Sequence, residues 1–159
     1  MPGTTGCGRS EVTTKSYTVA RTIQAPPDVV WGLLTDASSY RDWNPAVISI
    51  DGAMAPGSTI KLVSVASPKR TFSLTVASMQ APERMVWADG MPLGLFRGVR
   101  TYQLDPAPGG TAFSMTEEFT GPLSGLIARS IPDLTDSFNQ FADGLKTAAE
   151  RAATERAAT

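Results

Sequence analysis

The sequence predicts an α+β domain in which a curved antiparallel sheet of seven strands wraps a long C-terminal helix, with two short helices after the first strand. Three observations lead there. Period-two segments recur between Ser16 and Thr120, each closed by turn residues. The links between the last six of these segments are a few residues long, which suits antiparallel neighbours and leaves no room for parallel crossovers. The period changes only near the end, where Ile131, Leu134, Phe138, Phe141, Leu145, Ala148 and Ala152 step by three and four along one helical face.

The elements follow in order. Ser16 to Gln24 alternates Tyr17, Val19 and Ile23 with smaller polar positions, as a strand with one apolar face does. Ala25-Pro26-Pro27-Asp28 ends it and opens a helix over Pro27 to Leu34, since proline's missing N–H costs nothing in a first turn. Val30, Trp31 and Leu34 make that helix's apolar stripe, and Trp31 is expected to be a packing anchor. Asp36 caps a further helical turn through Ser39 and Tyr40, which Trp43-Asn44-Pro45 terminates. Trp43 has two readings, closing the mouth of a cavity or pinning this loop. Strands are then expected over Val47 to Ile50, Thr59 to Ala66, Arg70 to Met79, Arg84 to Ala88, Phe96 to Leu104 and Thr111 to Thr120. The turns between them include Asp51-Gly52, Ser67-Pro68 and Asp89-Gly90. The last helix is expected to run from Ile131 to Ala152, with Ser130 and Asp133 as a capping-box pair and Pro132 in its first turn.

At 159 residues the chain has room for one domain, placed over 15–152, with a disordered tail over 1–14 and a helix extension or frayed end over 153–159. Balanced charge, 14 basic against 15 acidic residues, gives no electrostatic surplus for nucleic acid. Histidine is absent, which removes the commonest general base, the Ser-His and Cys-His pairs and the commonest metal ligand. The single cysteine, Cys7, can form neither an internal disulfide nor a thiolate zinc site. No segment has the length of apolar sequence that spans a bilayer, and no secretory h-region is visible, so the reading is cytoplasmic, with a monomer slightly favoured. Gly121-Pro-Leu-Ser124-Gly125 misses the nucleophile-elbow spacing by one residue, and no phosphate-binding glycine loop or metal-ligand cluster occurs. Neither a cofactor nor a metal is indicated.

Particular stretches carry a family likeness. They are Ile23-Gln-Ala-Pro-Pro-Asp-Val-Val-Trp31 with Leu34-Thr-Asp36, Tyr40-Arg-Asp-Trp43-Asn-Pro45, Gly57, Met85-Val-Trp87, Gly110-Thr111, Glu117-Glu-Phe119-Thr-Gly121, and Phe138-Asn-Gln-Phe141 with Leu145-Lys146. In that order, from about Ser16 to Ala152, the chain resembles the START/Bet v1-like (SRPBCC) superfamily, and within it the polyketide cyclase/dehydrase and lipid-transport group. The resemblance implies a helix-grip fold with an apolar pocket between sheet and helix. It does not fix a function, because the fold serves carriers, receptors and cyclases alike.

The candidate site follows from alternation. Met85 and Trp87 share a face, as do Phe96, Arg100, Tyr102 and Leu104, and as do Phe113, Met115, Glu117 and Phe119. Their apolar content turns these sets toward the long helix, so Arg100 and Glu117 also point inward, whereas Arg97 points out. Inward charges need partners, and two arrangements satisfy them: Arg100 and Glu117 meet across adjacent strands, or they meet a polar group of a ligand. Adjacent Glu117 and Glu118 face opposite ways and form no paired-carboxylate site. The candidate ligand-binding residues are Trp87, Arg100, Tyr102, Met115, Glu117, Phe119, Leu134, Phe138 and Phe141; composition alone favours solid core for the aromatics among them, and the resemblance reverses that in favour of cavity walls. The expected function is binding of a small hydrophobic molecule of polyketide, lipid or aromatic type. The alternatives are a polyketide cyclase/dehydratase working without histidine or metal, with Arg100, Tyr102 and Glu117 as its weak catalytic candidates, and a partner-binding module whose interior is filled.

Overall fold

The structure, a computed structural model, describes residues 15–158. The expected tail over 1–14, with Cys7, lies outside the described residues. Strand β1 (Lys15–Ile23) is followed by helix α1 (Pro27–Thr35), a short 3-10 turn over Ala37–Ser39 and the four-residue helix α2 (Tyr40–Trp43). Strands β2 (Val47–Asp51), β3 (Thr59–Ser64), β4 (Ser67–Gln80), β5 (Arg84–Gly90), β6 (Arg97–Ala107) and β7 (Gly110–Thr120) form the meander. Helices α3 (Ser124–Ala128) and α4 (Thr135–Ala157) complete the chain. The sheet order β1-β7-β6-β5-β4-β3-β2 is antiparallel throughout, so β1 closes onto the last strand of the meander. Bulges in β2/β3, β3/β4 and β4/β5 bend this half of the sheet.

Why α4 sits inside the curl is visible on its surface. Phe138, Phe141, Ala142, Leu145 and Ala149 are buried along one stripe, as the spacing requires. Its flank is tied to β1 by Arg21, which donates to Asp143 Oδ1 at 2.8 Å and to Asn139 Oδ1 at 2.9 Å, and by Lys146, which donates to the Thr22 carbonyl at 2.6 Å. Gly144 lets the helix approach α2: a Cβ there would stand 2.0 Å from the Trp43 carbonyl oxygen. Trp43 itself donates from Nε1 to Ser39 Oγ at 3.2 Å and meets the Phe141 ring edge-on at 5.2 Å. It pins the loop against α4 and is not among the residues that line the cavity between sheet and helix.

Three expectations are corrected. The helical phase begins at Thr135 and not at Ile131, because a residue before proline is driven from the helical region and Ile131 precedes Pro132. The supposed cap, Ser130, donates instead to the Ile127 carbonyl at 2.7 Å, closing α3, while Asp133 Oδ1 accepts from the Thr135 amide and hydroxyl at 2.9 and 2.7 Å. Helix α3 was not expected at all: five residues carry too little periodicity to read. Finally, Ser67-Pro68 and Asp89-Gly90 are not free turns but the start of β4 and the end of β5. Beyond Ala152 the helix continues to Ala157.

Candidate functional site

The interior is packed at one end and open at the other. Around the C-terminal half of α4, Tyr40, Trp87, Tyr102, Phe113 and Leu145 are all but sealed from solvent, and Tyr102 meets Trp87 edge-on at 4.9 Å and Phe141 at a tilt at 5.7 Å. Around its N-terminal half the sheet and helix part, leaving a cavity of about 150 Å³. Its floor and far wall come from the sheet, with Leu62, Phe72, Trp87, Met115 and Phe119 apolar. Leu134, Ser137, Phe138 and Phe141 form the helical wall. The connection from α3 to α4, through Ile127 and Ile131, and the segment Asn44 to Val47 border it.

One row of the sheet supplies the charged groups. Register aligns Trp87 with Arg100 on the next strand and Arg100 with Glu117 on the one after. Arg100 donates from Nε to Glu117 Oε2 at 2.9 Å and from a terminal guanidinium nitrogen to the same oxygen. The two side chains are 18% and 14% exposed, so they present an edge to the cavity without leaving it. The Arg100 guanidinium also lies 5.0 Å from the Phe138 ring centroid, where the ring face favours a cation. Burial works against its charge, yet Glu117 and Tyr102 together hold the guanidinium above its ordinary pKa. It remains protonated at any pH the protein meets. The expected inward pair is therefore present, and its members bond each other.

Tyr102 is placed differently from the reading that set it on the cavity wall. It is 0% exposed and lies in the packed end of the interior, outside the lining. Burial raises its phenol well above the usual range, against the pull of Arg100. Its hydroxyl has no hydrogen-bond partner of ordinary geometry. The other eight candidates, Trp87, Arg100, Met115, Glu117, Phe119, Leu134, Phe138 and Phe141, all border the cavity.

The sequence reading missed Asp89. It sits one row along from the ion pair, opposite Gly98, and it lines the cavity. The missing side chain of Gly98 makes the space: a Cβ there would stand 2.8 Å from Asp89 Oδ1 and 3.4 Å from the Phe119 ring. Burial first, then the nearby Glu117 carboxylate, raise the Asp89 pKa, against the attraction of Arg100 and Arg70. Its position two residues beyond Trp87 was the available signal, but the Asp-Gly pair looked like a turn. Arg70 lies exposed at the rim with its guanidinium 4.7 Å from the Phe72 ring. Among the described residues, no group of three or more His, Cys, Asp or Glu is arranged to hold a metal ion.

A sheet curled around a helix, with an apolar cavity at one end and an internal ion pair on its wall, defines a class of helix-grip proteins. The family model described as "Polyketide cyclase / dehydrase and lipid transport" matches residues 14–150, and the chain belongs to that family. Solved structures share the fold. A protein from Mesorhizobium loti superposes with a TM-score of 0.67 at 20% identity, covering 86% of this chain and 98% of the other. One from Rhodobacter sphaeroides gives 0.65 at 20% identity, with 88% and 93% covered. A Thalictrum norcoclaurine synthase point mutant, solved with a transition-state analogue, gives 0.66 at 14% identity, with 90% and 98% covered. No curated protein matches the chain. No helix among the described residues is long and apolar enough to cross a membrane.

Proposed function

We propose that the protein binds a small hydrophobic molecule between the sheet and the N-terminal half of α4. The observation that carries this reading is the open, largely apolar cavity at one end of an otherwise dense interior. Protein interiors pack to crystal density, so about 150 Å³ left beside Phe138, Met115 and Phe119 is a departure that a ligand would relieve. A void of about that size accommodates a single aromatic ring. A larger polyketide or acyl chain would extend through the mouth past Ile127 and Ile131. Affinity would come from buried apolar area, at roughly 25 cal/mol per Å² before ordering costs. The module with a filled interior is disfavoured by the same cavity.

Turnover of a polyketide-type substrate is the second reading, favoured by Asp89 and Glu117 bordering one cavity with Arg100 between them in the sheet. One carboxylate would take a proton from an activated methylene while the guanidinium faces the developing enolate oxygen.

Native mass spectrometry of freshly purified protein, and titration with the uncharged fluorophore N-phenyl-1-naphthylamine, test the binding reading. A bound species or saturable fluorescence enhancement is expected in the wild type, and Ser137→Phe, which fills the cavity from the helix, should abolish it. Absence of both signals would overturn the proposal, and unchanged binding in Ser137→Phe would move the ligand elsewhere.

A further inference from the structure

The polar groups that a ligand could reach in the cavity are unequally matched. Its one deep cation, Arg100, already gives two hydrogen bonds to Glu117 Oε2 and packs on Phe138. Glu117 Oε1 has no such bond. Among the described residues Asp89 finds neither a hydrogen bond nor an ion pair, and its Oδ1 lies over Gly98 beside the cavity. Three buried donors nearby, Trp87 Nε1, the Tyr102 hydroxyl and Asn44 Nδ2, have no hydrogen-bond partner among the described residues and expose no surface to a molecule in the cavity. What borders the cavity is a pair of carboxylates, Asp89 and Glu117, beside hydroxyls such as Ser137 that can accept or donate. The other cation bordering the cavity, Arg70, is exposed and lies over the Phe72 ring.

We infer that the cavity selects ligands whose polar end donates hydrogen bonds, such as a phenol, an alcohol or an amine, with Asp89 as the receiving group, and that it rejects ligands ending in a carboxylate or phosphate. This rests on the binding reading above and specifies its ligand class. The physical argument is one of mismatched desolvation. An anionic end placed beside Asp89 and Glu117 meets two like charges, with Arg100 already paired and Arg70 exposed over Phe72, whereas a donor supplies the bond that Asp89 lacks. Fatty acids and intact phospholipids are thereby disfavoured within a family that includes lipid transporters.

The test compares toluene, 4-methylphenol and 4-methylbenzoate, which share one ring and differ in the polar end. Affinities are read from protein chemical-shift titrations, with the Trp87 indole and Gly98 amide signals as reporters. The phenol should bind about tenfold or more tighter than toluene, the worth of a hydrogen bond to a charged group, and the benzoate weaker than either. Asp89→Asn should erase most of the phenol's advantage and improve the benzoate. Equal affinities for toluene and phenol, or tightest binding of the benzoate, would overturn the inference while leaving the cavity as a binding site. If none of the three shifts the cavity signals, the binding reading itself falls and this inference with it. The wild-type comparison decides the matter even if Asp89→Asn does not fold.

Discussion

Arg100 and Glu117 stand directly opposite each other on β6 and β7, and the guanidinium places two of its nitrogens on one carboxylate oxygen of its partner. That one-sided attachment leaves the second oxygen without a hydrogen bond among the described residues, and it leaves Asp89 on the neighbouring row as the next carboxylate the guanidinium feels. The pair thus makes up two members of a three-member electrostatic cluster with Asp89.

The cluster makes its two members unequal. Arg100→Met would leave Glu117 and Asp89 facing each other with no cation between them, and the fold should lose about 2–4 kcal/mol, toward the lower part of the cost of breaking a buried pair because the site has an open edge. Glu117→Gln retains an oxygen for Arg100, whose charge Asp89 still partly balances, and the loss should stay near 1 kcal/mol. Urea unfolding of both variants checks the order. Equal losses would show that Asp89 contributes nothing to the balance.

Two glycines in helices should respond to alanine in opposite senses. At Gly32 in α1 an added Cβ meets nothing within 4 Å, so Gly32→Ala should gain close to the ~1 kcal/mol of helix propensity. At Gly144 the same atom would collide with the Trp43 backbone, and neither α2 nor α4 can withdraw without disturbing Phe141. Gly144→Ala should therefore lose about 1–3 kcal/mol despite its better propensity, lowering Tm by several degrees. Thermal melts showing both variants stabilised would remove the close approach from the account.

The packed and open ends of the interior should also separate in mutational cost. Phe141 contacts Tyr40, Trp43, Tyr102 and Phe113 in the dense region, and Phe141→Ala should cost about 3–5 kcal/mol. Phe138 already faces a void on one side, so Phe138→Ala should cost less while increasing probe uptake. Chemical denaturation of the two variants side by side provides the measurement, and a Phe138 loss equal to that of Phe141 would argue that the cavity is filled in solution.

These contrasts explain which features were legible in the sequence. Alternation along β5 to β7 was enough to put Trp87, Arg100, Met115, Glu117 and Phe119 on one face, because a strand's period of two survives any change of neighbour. The inward stripe of α4 was equally plain. What alternation lacks is depth. It could not tell that Tyr102 lies below the cavity floor while Arg100, two residues away on the same face, borders it. Asp89 was hidden by Gly90, since an Asp-Gly pair carries the same local signal whether it turns the chain or ends a strand. Ser130, Pro132 and Asp133 formed a plausible helix start; the restriction on Ile131 before Pro132 bars the helix from Ile131, and Asp133 accepting from the Thr135 amide and hydroxyl marks the start observed at Thr135.

Asp89 supplies the last prediction, and its sign is opposite to that of an ordinary acidic residue. Its folded pKa is raised above the ordinary 3.8 by burial and by Glu117, so between the unfolded and folded values the native chain holds a proton that the unfolded chain has released. In that window the native state binds more protons, and stability falls as pH rises. Below the unfolded value the penalty vanishes; above the folded value it is complete. Asp28, Asp133 and Glu150 act in the other sense, since hydrogen bonds from Arg156, Thr135 and Lys146 lower their pKa values, but they are common to wild type and variant and cancel in a difference. Asp89→Asn has no such proton to lose. Its stability relative to wild type should therefore climb as pH is raised above the ordinary 3.8 of a free carboxylate, and level off once Asp89 is ionised in the folded protein. Urea unfolding of the two proteins at matched pH values measures that difference directly. A gap that is constant with pH, or that widens toward acid, would mean that the carboxylate is already satisfied in solution and is not waiting for a donor.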